Sequence, residues 1–291
     1  MLITLLQLPE LRKTLVKKEK LLPPPPPGAG VTERHVATLK NASLWWVSRD
    51  MTKLALDTAP DLPPWTPTIA APETSGLMWF DHPIGTTPAD PGEGFMADGR
   101  WAESILGSAA VHGVHWSITG DLLNFTFYGA VSDPVQRART APLWRDVYEI
   151  AMYTVRGDVE YSPQVTQLRE PWAAHVVHTI GAAWLLMQQP RVAEKRSRRA
   201  SLHTGNKKRK PGKEQLIQVI DLRRLAHNDA EREQNYGQSR EFHTRWMVRG
   251  HWRQQRVGPG RKYTKPVFVS PYLKGPEGAP IKTDRVNAWR H

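Results

Sequence analysis

Hydrophobic and polar positions along the chain fall into alternating runs, helical runs and stretches with neither period. Alternation or short apolar runs predict strands at Leu44–Val47, Leu77–Phe80 and Gln215–Leu222. Ala110–Ile118 and Leu122–Tyr128 flank Thr119-Gly120-Asp121 and predict a β-hairpin with a glycine turn. Helical spacing places Leu5, Leu8, Leu11, Leu15 and Leu22 on one side of residues 1–22, and predicts further helices at Thr32–Lys40 and Pro142–Val155. Trp172–Gln189, opened by Pro171, is apolar nearly all round and is expected to lie buried against a sheet. Strands on both sides of one long buried helix imply an α+β class with a largely antiparallel sheet.

The alternation that organises the C-terminal part is Arg245-Trp246-Met247-Val248-Arg249-Gly250-His251-Trp252-Arg253. Read as one strand, it puts Arg245, Met247, Arg249, His251 and Arg253 on one face and Trp246, Val248, Gly250 and Trp252 on the other. Arg256 follows, then a turn at Val257-Gly258-Pro259-Gly260 and a returning strand at Lys265–Ser270, with a last short strand at Val286–Trp289. Guanidinium groups in a row suit phosphate, because each planar fork donates two hydrogen bonds in fixed geometry. Trp246, Trp252 and Tyr263 could stack bases.

Val248-Arg249-Gly250-His251-Trp252-Arg253-Gln254-Gln255, the Gly-Pro-Gly turn, Phe268-Val269-Ser270-Pro271-Tyr272-Leu273-Lys274-Gly275-Pro276 and Ala279-Pro280 together resemble a C-terminal module of phage, plasmid and mobile-element proteins. The module is similar to that of the type V-A anti-CRISPR family, which suppresses synthesis of a Cas12-type effector. The resemblance covers about the last fifty residues, 242–291. It implies an intracellular regulator that recognises a nascent chain or its RNA and lowers expression of a host or competitor gene. It carries over no catalytic residue.

Between these segments the chain changes character. Pro23–Pro27 with Gly28-Ala29-Gly30 reads as an extended spacer after the N-terminal helix. Residues 31–190 form the expected α+β core. Residues 191–213 read as a basic linker, and 214–291 as a β-rich arginine module packed on the core. There is no cysteine, so no disulfide framework or thiolate metal site is expected. No apolar window reaches the length of a membrane helix, which points to a cytoplasmic protein without a membrane partner.

Charge sharpens the functional reading. The chain carries a net +12, and residues 191–213, with ten Lys/Arg and one Glu, hold +9 of it. Lys207, Lys208, Arg209 and Lys210 are its densest run and bind phosphate without reading sequence. Together with Arg245, Arg249, His251, Arg253, Arg256 and Trp252 they are the candidate nucleic-acid residues. RNA, a ribosome or a nascent chain is the expected partner, and an acidic protein is the alternative.

Enzymatic readings compete. Asp81, Asp121 and Asp221 each lie at or beside a strand end, where carboxylates could hold Mg²⁺ in a nuclease. His243 and His251 lie among arginines, as a metal-free ribonuclease acting as a toxin would need. On one strand those two are about 26 Å apart, too far to act together. His175 and His178 have helical metal-ligand spacing, yet so apolar a helix more often buries histidine with a hydrogen-bond partner. No resident cofactor or metal is expected.

Overall fold

The computed structural model describes residues 3–19, 31–87, 94–95, 101–102, 108–131, 147–163, 168, 170–200, 214–223, 245–276 and 279–280. The chain divides into two compact units, Met1–Leu222 and Arg223–His291.

The first unit is built on a mixed sheet. Its strands are β1 (Ser43–Val47), β2 (Ser75–Phe80), β3 (Gly85–Thr86), β6 (Ala109–Thr119), β7 (Leu122–Val131), β8 (Tyr148–Arg156), β9 (Ala193–Ala200) and β10 (Gln215–Leu222); β4 (Gly94–Phe95) and β5 (Trp101–Ala102) pair separately. The order across the sheet is β8-β7-β6-β2-β1-β10-β9, with β3 also paired to β6. Most neighbours are antiparallel, but β1 at the centre runs parallel to both β2 and β10. The sequence reading did not anticipate that centre. Its cause is the helix α3 (Arg49–Thr58), which carries the chain from the end of β1 back to the start of β2. Buried on both faces, β1 and β2 read as nearly continuous apolar runs.

Helices cover both faces. On one side α1 (Leu8–Glu19) and α2 (Val31–Asn41) bring Leu8, Leu11, Leu15 and Leu39 against Leu44, Trp46, Leu77, Trp79, Ile217 and Val219. The N-terminal helix is thus part of the core rather than an appendage. Arg12 fixes it there, donating to Ala42 O and, at 2.8 Å, to Gln215 Oε1. On the other side lie α3 and α5 (Pro171–Met187), with the short α4 (Pro67–Ala70) beside them. Trp184 of α5 lies edge-on or tilted against Trp65, Trp116 and Phe125.

Close approach explains two glycines. A Cβ at Gly76 would lie 2.2 Å from Trp116, and one at Gly181 in α5 would lie 2.5 Å from Trp65. Each glycine lets an indole lie flat on backbone.

Two expectations are corrected. Pro142–Val155 was expected to be helical, but Tyr148–Arg156 is the strand β8, paired along β7. Tyr148, Ile150, Tyr153, Thr154 and Val155 are β-forming types, and pairing to β7 outweighs the local helical spacing. The tract 191–213 was expected to be a linker, yet its first part is β9, the edge strand of the sheet. The spacer at Pro23–Pro27, the densest basic run at 207–210 and the strand expected at Val286–Trp289 lie outside the described residues.

The second unit contains four strands, β11 (Trp246–Val248), β12 (His251–Val257), β13 (Tyr263–Val269) and β14 (Tyr272–Lys274). β11 pairs antiparallel with β14, and β12 with β13. Val248 lies opposite Tyr272 and His251 opposite Val269, so the register is continuous and the four strands are one long hairpin.

Candidate nucleic-acid interface

The expected single strand is interrupted at Arg249-Gly250, for two reasons that lie on the facing strand. In the shared register Arg249 falls opposite Pro271, which has no N–H to donate. Gly250 lies under Phe268, whose Cζ would be 2.6 Å from an added Cβ. The alternation of faces nevertheless survives the break. Met247, Arg249, His251 and Arg253 are exposed, whereas Trp246, Val248, Gly250 and Trp252 are half-buried.

Arg245 departs from the expectation. It is half-buried, its backbone N–H donates to Pro280 O at 2.8 Å, and its Nε is buried without a hydrogen-bond partner. It ties the base of the hairpin rather than extending the exposed row. Arg256 lies opposite Thr264, on the side of Trp252 and away from Arg253. The cations therefore occupy both faces of the ribbon. Trp252 packs edge-to-face on Phe268 at 5.4 Å between centroids, and the Lys274 ammonium sits 5.9 Å over the Trp246 ring. These indoles hold the ribbon together and are not open stacking platforms.

Beyond Arg253 the ribbon is exposed on both sides, with only Gln255 and Val257 half-buried before Lys265. Arg253, Gln254, Gln255, Arg256 and Arg261 line a shallow concavity there, and Arg253 donates to Gln255 Oε1 at 2.8 Å. At the turn Gly258 (φ 80°), Gly260 (φ 63°) and Arg261 (φ 54°) all have positive φ. Gln254, Gln255, Arg261, Lys262 and Lys265 were missed in the sequence reading. The signal was present, since Arg261-Lys262 follows the Gly-Pro-Gly turn directly and a turn of that kind projects its flanks into solvent.

The decisive electrostatic fact is compositional. Residues 245–276 hold eight Lys/Arg and no Asp/Glu. No carboxylate within the hairpin can neutralise them.

The ordered basic strand β9 is different. Lys195, Arg196, Ser197, Arg198 and Arg199 are exposed, but Arg196 pairs with Asp221 at 2.7 Å and Glu194 at 3.5 Å, and Arg199 with Glu214 at 3.5 Å. Lys195 lies 5.9 Å from the Trp45 ring centroid. Much of this row is answered locally, and a charged edge strand also discourages pairing with other chains.

Among the described residues the catalytic candidates do not come together. Asp121 lies at the β6–β7 turn, at the opposite end of the strands from Asp81, and faces Arg156 at 3.5 Å. Asp81 follows β2 and Asp221 ends β10, with β1 between, about 10 Å apart at the usual strand spacing. Asp221 is already engaged by Arg196. No group of three His, Asp or Glu among the described residues is placed to hold a metal. His243 lies outside the described residues, and His251 is exposed with Nδ1 3.1 Å from Arg249 O. On α5, His175 is exposed, while His178 is buried and accepts from Trp65 Nε1 at 3.4 Å. Partial desolvation lowers the pKa of both, and the neighbouring His175 adds to the effect at His178.

No family model matches the chain, and no curated protein matches it. Among the described residues no helix is long and apolar enough to cross a membrane.

Proposed function

We propose that the chain binds RNA through its C-terminal hairpin and acts as a phage- or mobile-element-type regulator that lowers expression of a host or competitor gene. The observation that carries this reading is the density of positive charge, eight cations and no carboxylate within residues 245–276, with Arg249, His251 and Arg253 exposed on one face. Exposed guanidinium groups on a rigid ribbon hold phosphate by paired hydrogen bonds and release counterions from the backbone. The resemblance to the type V-A anti-CRISPR module lends the regulatory direction, with a translating complex as the place of action.

Crosslinking and sequencing of bound RNA from cells, with ribosome co-sedimentation in the same lysate, tests the proposal. Recovery of specific RNA that is lost on replacing Arg249 and Arg253 by Ala is the expected result. Recovery of an acidic protein partner and no RNA refutes it.

A further inference from the structure

From Arg253 to Lys265 the hairpin is a two-stranded ribbon with solvent on both faces and five cations, Arg253, Arg256, Arg261, Lys262 and Lys265, distributed over both. A ligand lying flat on one face would leave the cations of the other unused. A ligand that surrounds the ribbon would meet them all. Antiparallel strands are about 4.8 Å apart, and the major groove of B-DNA, about 12 Å wide, admits a ribbon of that kind with its side chains, so an RNA groove must open to a similar width to do so. The residues lining the concavity are of the types that reach base edges there, arginine toward guanine and glutamine toward adenine. Single-strand readers instead need open aromatic rings. Here Trp252 is packed on Phe268 and Trp246 carries Lys274, which leaves Tyr263, 67% exposed, as the open ring of the ribbon among the described residues.

A second observation points the same way. Arg261 holds φ 54°, a conformation in which glycine is unstrained and a larger side chain is not. Its N–H donates to Gly258 O at 3.0 Å and closes the turn, and glycine would close it equally well. An arginine kept in a strained position at the tip is what a contact made by its guanidinium would require.

We infer that the ligand of this hairpin is a helical RNA segment whose major groove has been opened by a bulge or internal loop, and that the tip enters the groove. The inference rests on the RNA-binding reading above. Arg253, Arg256, Arg261, Lys262 and Lys265 contact phosphates on both groove walls, and Gln254 and Gln255 face base edges. Regular A-form RNA has a groove too deep and narrow for side chains to read, which is why the opening is required.

The test uses the full chain and three labelled probes: a bulged RNA stem, its fully paired counterpart, and the unpaired strand. The bulged stem is expected to bind at least about tenfold more tightly than either. Arg261→Gly is expected to keep or raise the melting temperature while weakening the bulged stem about tenfold, the loss of one charge-assisted contact. Gln254→Ala should reduce preference among stems of different sequence and leave the salt dependence unchanged. If the single strand binds as tightly as the bulged stem, the groove inference is wrong and RNA binding stands. If no RNA probe binds, both fall. If Arg261→Gly binds unchanged, the tip does not enter the groove.

Discussion

At the scale of single residues the hairpin separates what holds it together from what it offers to a ligand. Arg249 and Arg253 are exposed, so Arg249→Ala and Arg253→Ala should leave the melting temperature nearly unchanged while sharply reducing selective RNA capture in cells. Lysine at either position should restore capture only in part, because a point charge lacks the planar fork. Trp252→Ala should behave in the opposite way. Its ring is half-buried against Phe268, so thermal unfolding should show a loss of about 2 kcal/mol, below the range for a fully buried indole. In the first unit His35 of α2 and His115 of β6 lie edge-to-face at 5.0 Å, and His115 Nε2 has no hydrogen-bond partner. Burial lowers His35 to about 4 and holds His115 well below the usual histidine value, with His35 adding to the effect. The unfolded chain therefore binds protons more readily than the folded one. Stability should be complete above about pH 6.5 and fall as pH drops toward 4, by on the order of 3 kcal/mol from His35 alone. Urea unfolding at pH 7.5 and 4.5 measures this, and His35→Gln with His115→Gln should flatten the difference.

At the scale of elements, tertiary packing overrides local preference in both directions. Gly181 sits inside α5, where alanine would ordinarily gain about 1 kcal/mol of helix propensity. The Trp65 ring blocks that gain. Trp65 is 3% exposed and held by His178 and by backbone bonds to Tyr161, so it has little room to retreat. Overpacking of this kind costs about 1–3 kcal/mol, so Gly181→Ala should lower the melting temperature. The same tension decides which elements were legible in the sequence. β1, β2, β6, β7 and β10 announce themselves, because apolar runs bounded by turn residues have few alternative homes. β8 does not, since its apolar positions satisfy a helical spacing as well as a strand. β9 was unreadable as a strand because its interior, Glu194 to Arg199, is polar throughout. Only its ends, Ala193 and Ala200, are buried, and pairing to β10 supplies what its side chains do not. The parallel centre was missed although α3 is announced by Ser48 at its N-cap and by Met51, Ala55 and Thr58 at helical spacing, because that pattern does not say which strand the helix leads to. On the hairpin, alternation revealed the exposed row, but the break at Gly250 depends on Pro271 across the ribbon, a non-local partner.

At the scale of the molecule, charge is partitioned sharply. Of the net +12, residues 191–213 hold nine and residues 245–276 hold eight, which leaves −5 for everything else. The two basic segments lie in different units, since the division falls after Leu222. They also differ in kind. The first is partly neutralised in β9 and continues into the dense run at 207–210, whereas the second displays its cations on an ordered ribbon. Counterion release makes every cation contribute to the salt dependence, but only fixed geometry discriminates one RNA from another. Charge reversal at Lys207, Lys208, Arg209 and Lys210 should therefore weaken all RNAs alike and flatten the plot of log affinity against log salt. Arg253→Ala with Arg256→Ala should reduce that slope by only about two and remove the preference for one RNA over another. The chain ended after Leu222 keeps the sheet, both helical layers and their core, so it should fold and retain weak, unselective binding. Parallel salt titrations of these three variants against a preferred and an unrelated RNA decide the matter. Retention of full preference by the shortened chain would move the selective surface out of the hairpin and into the first unit.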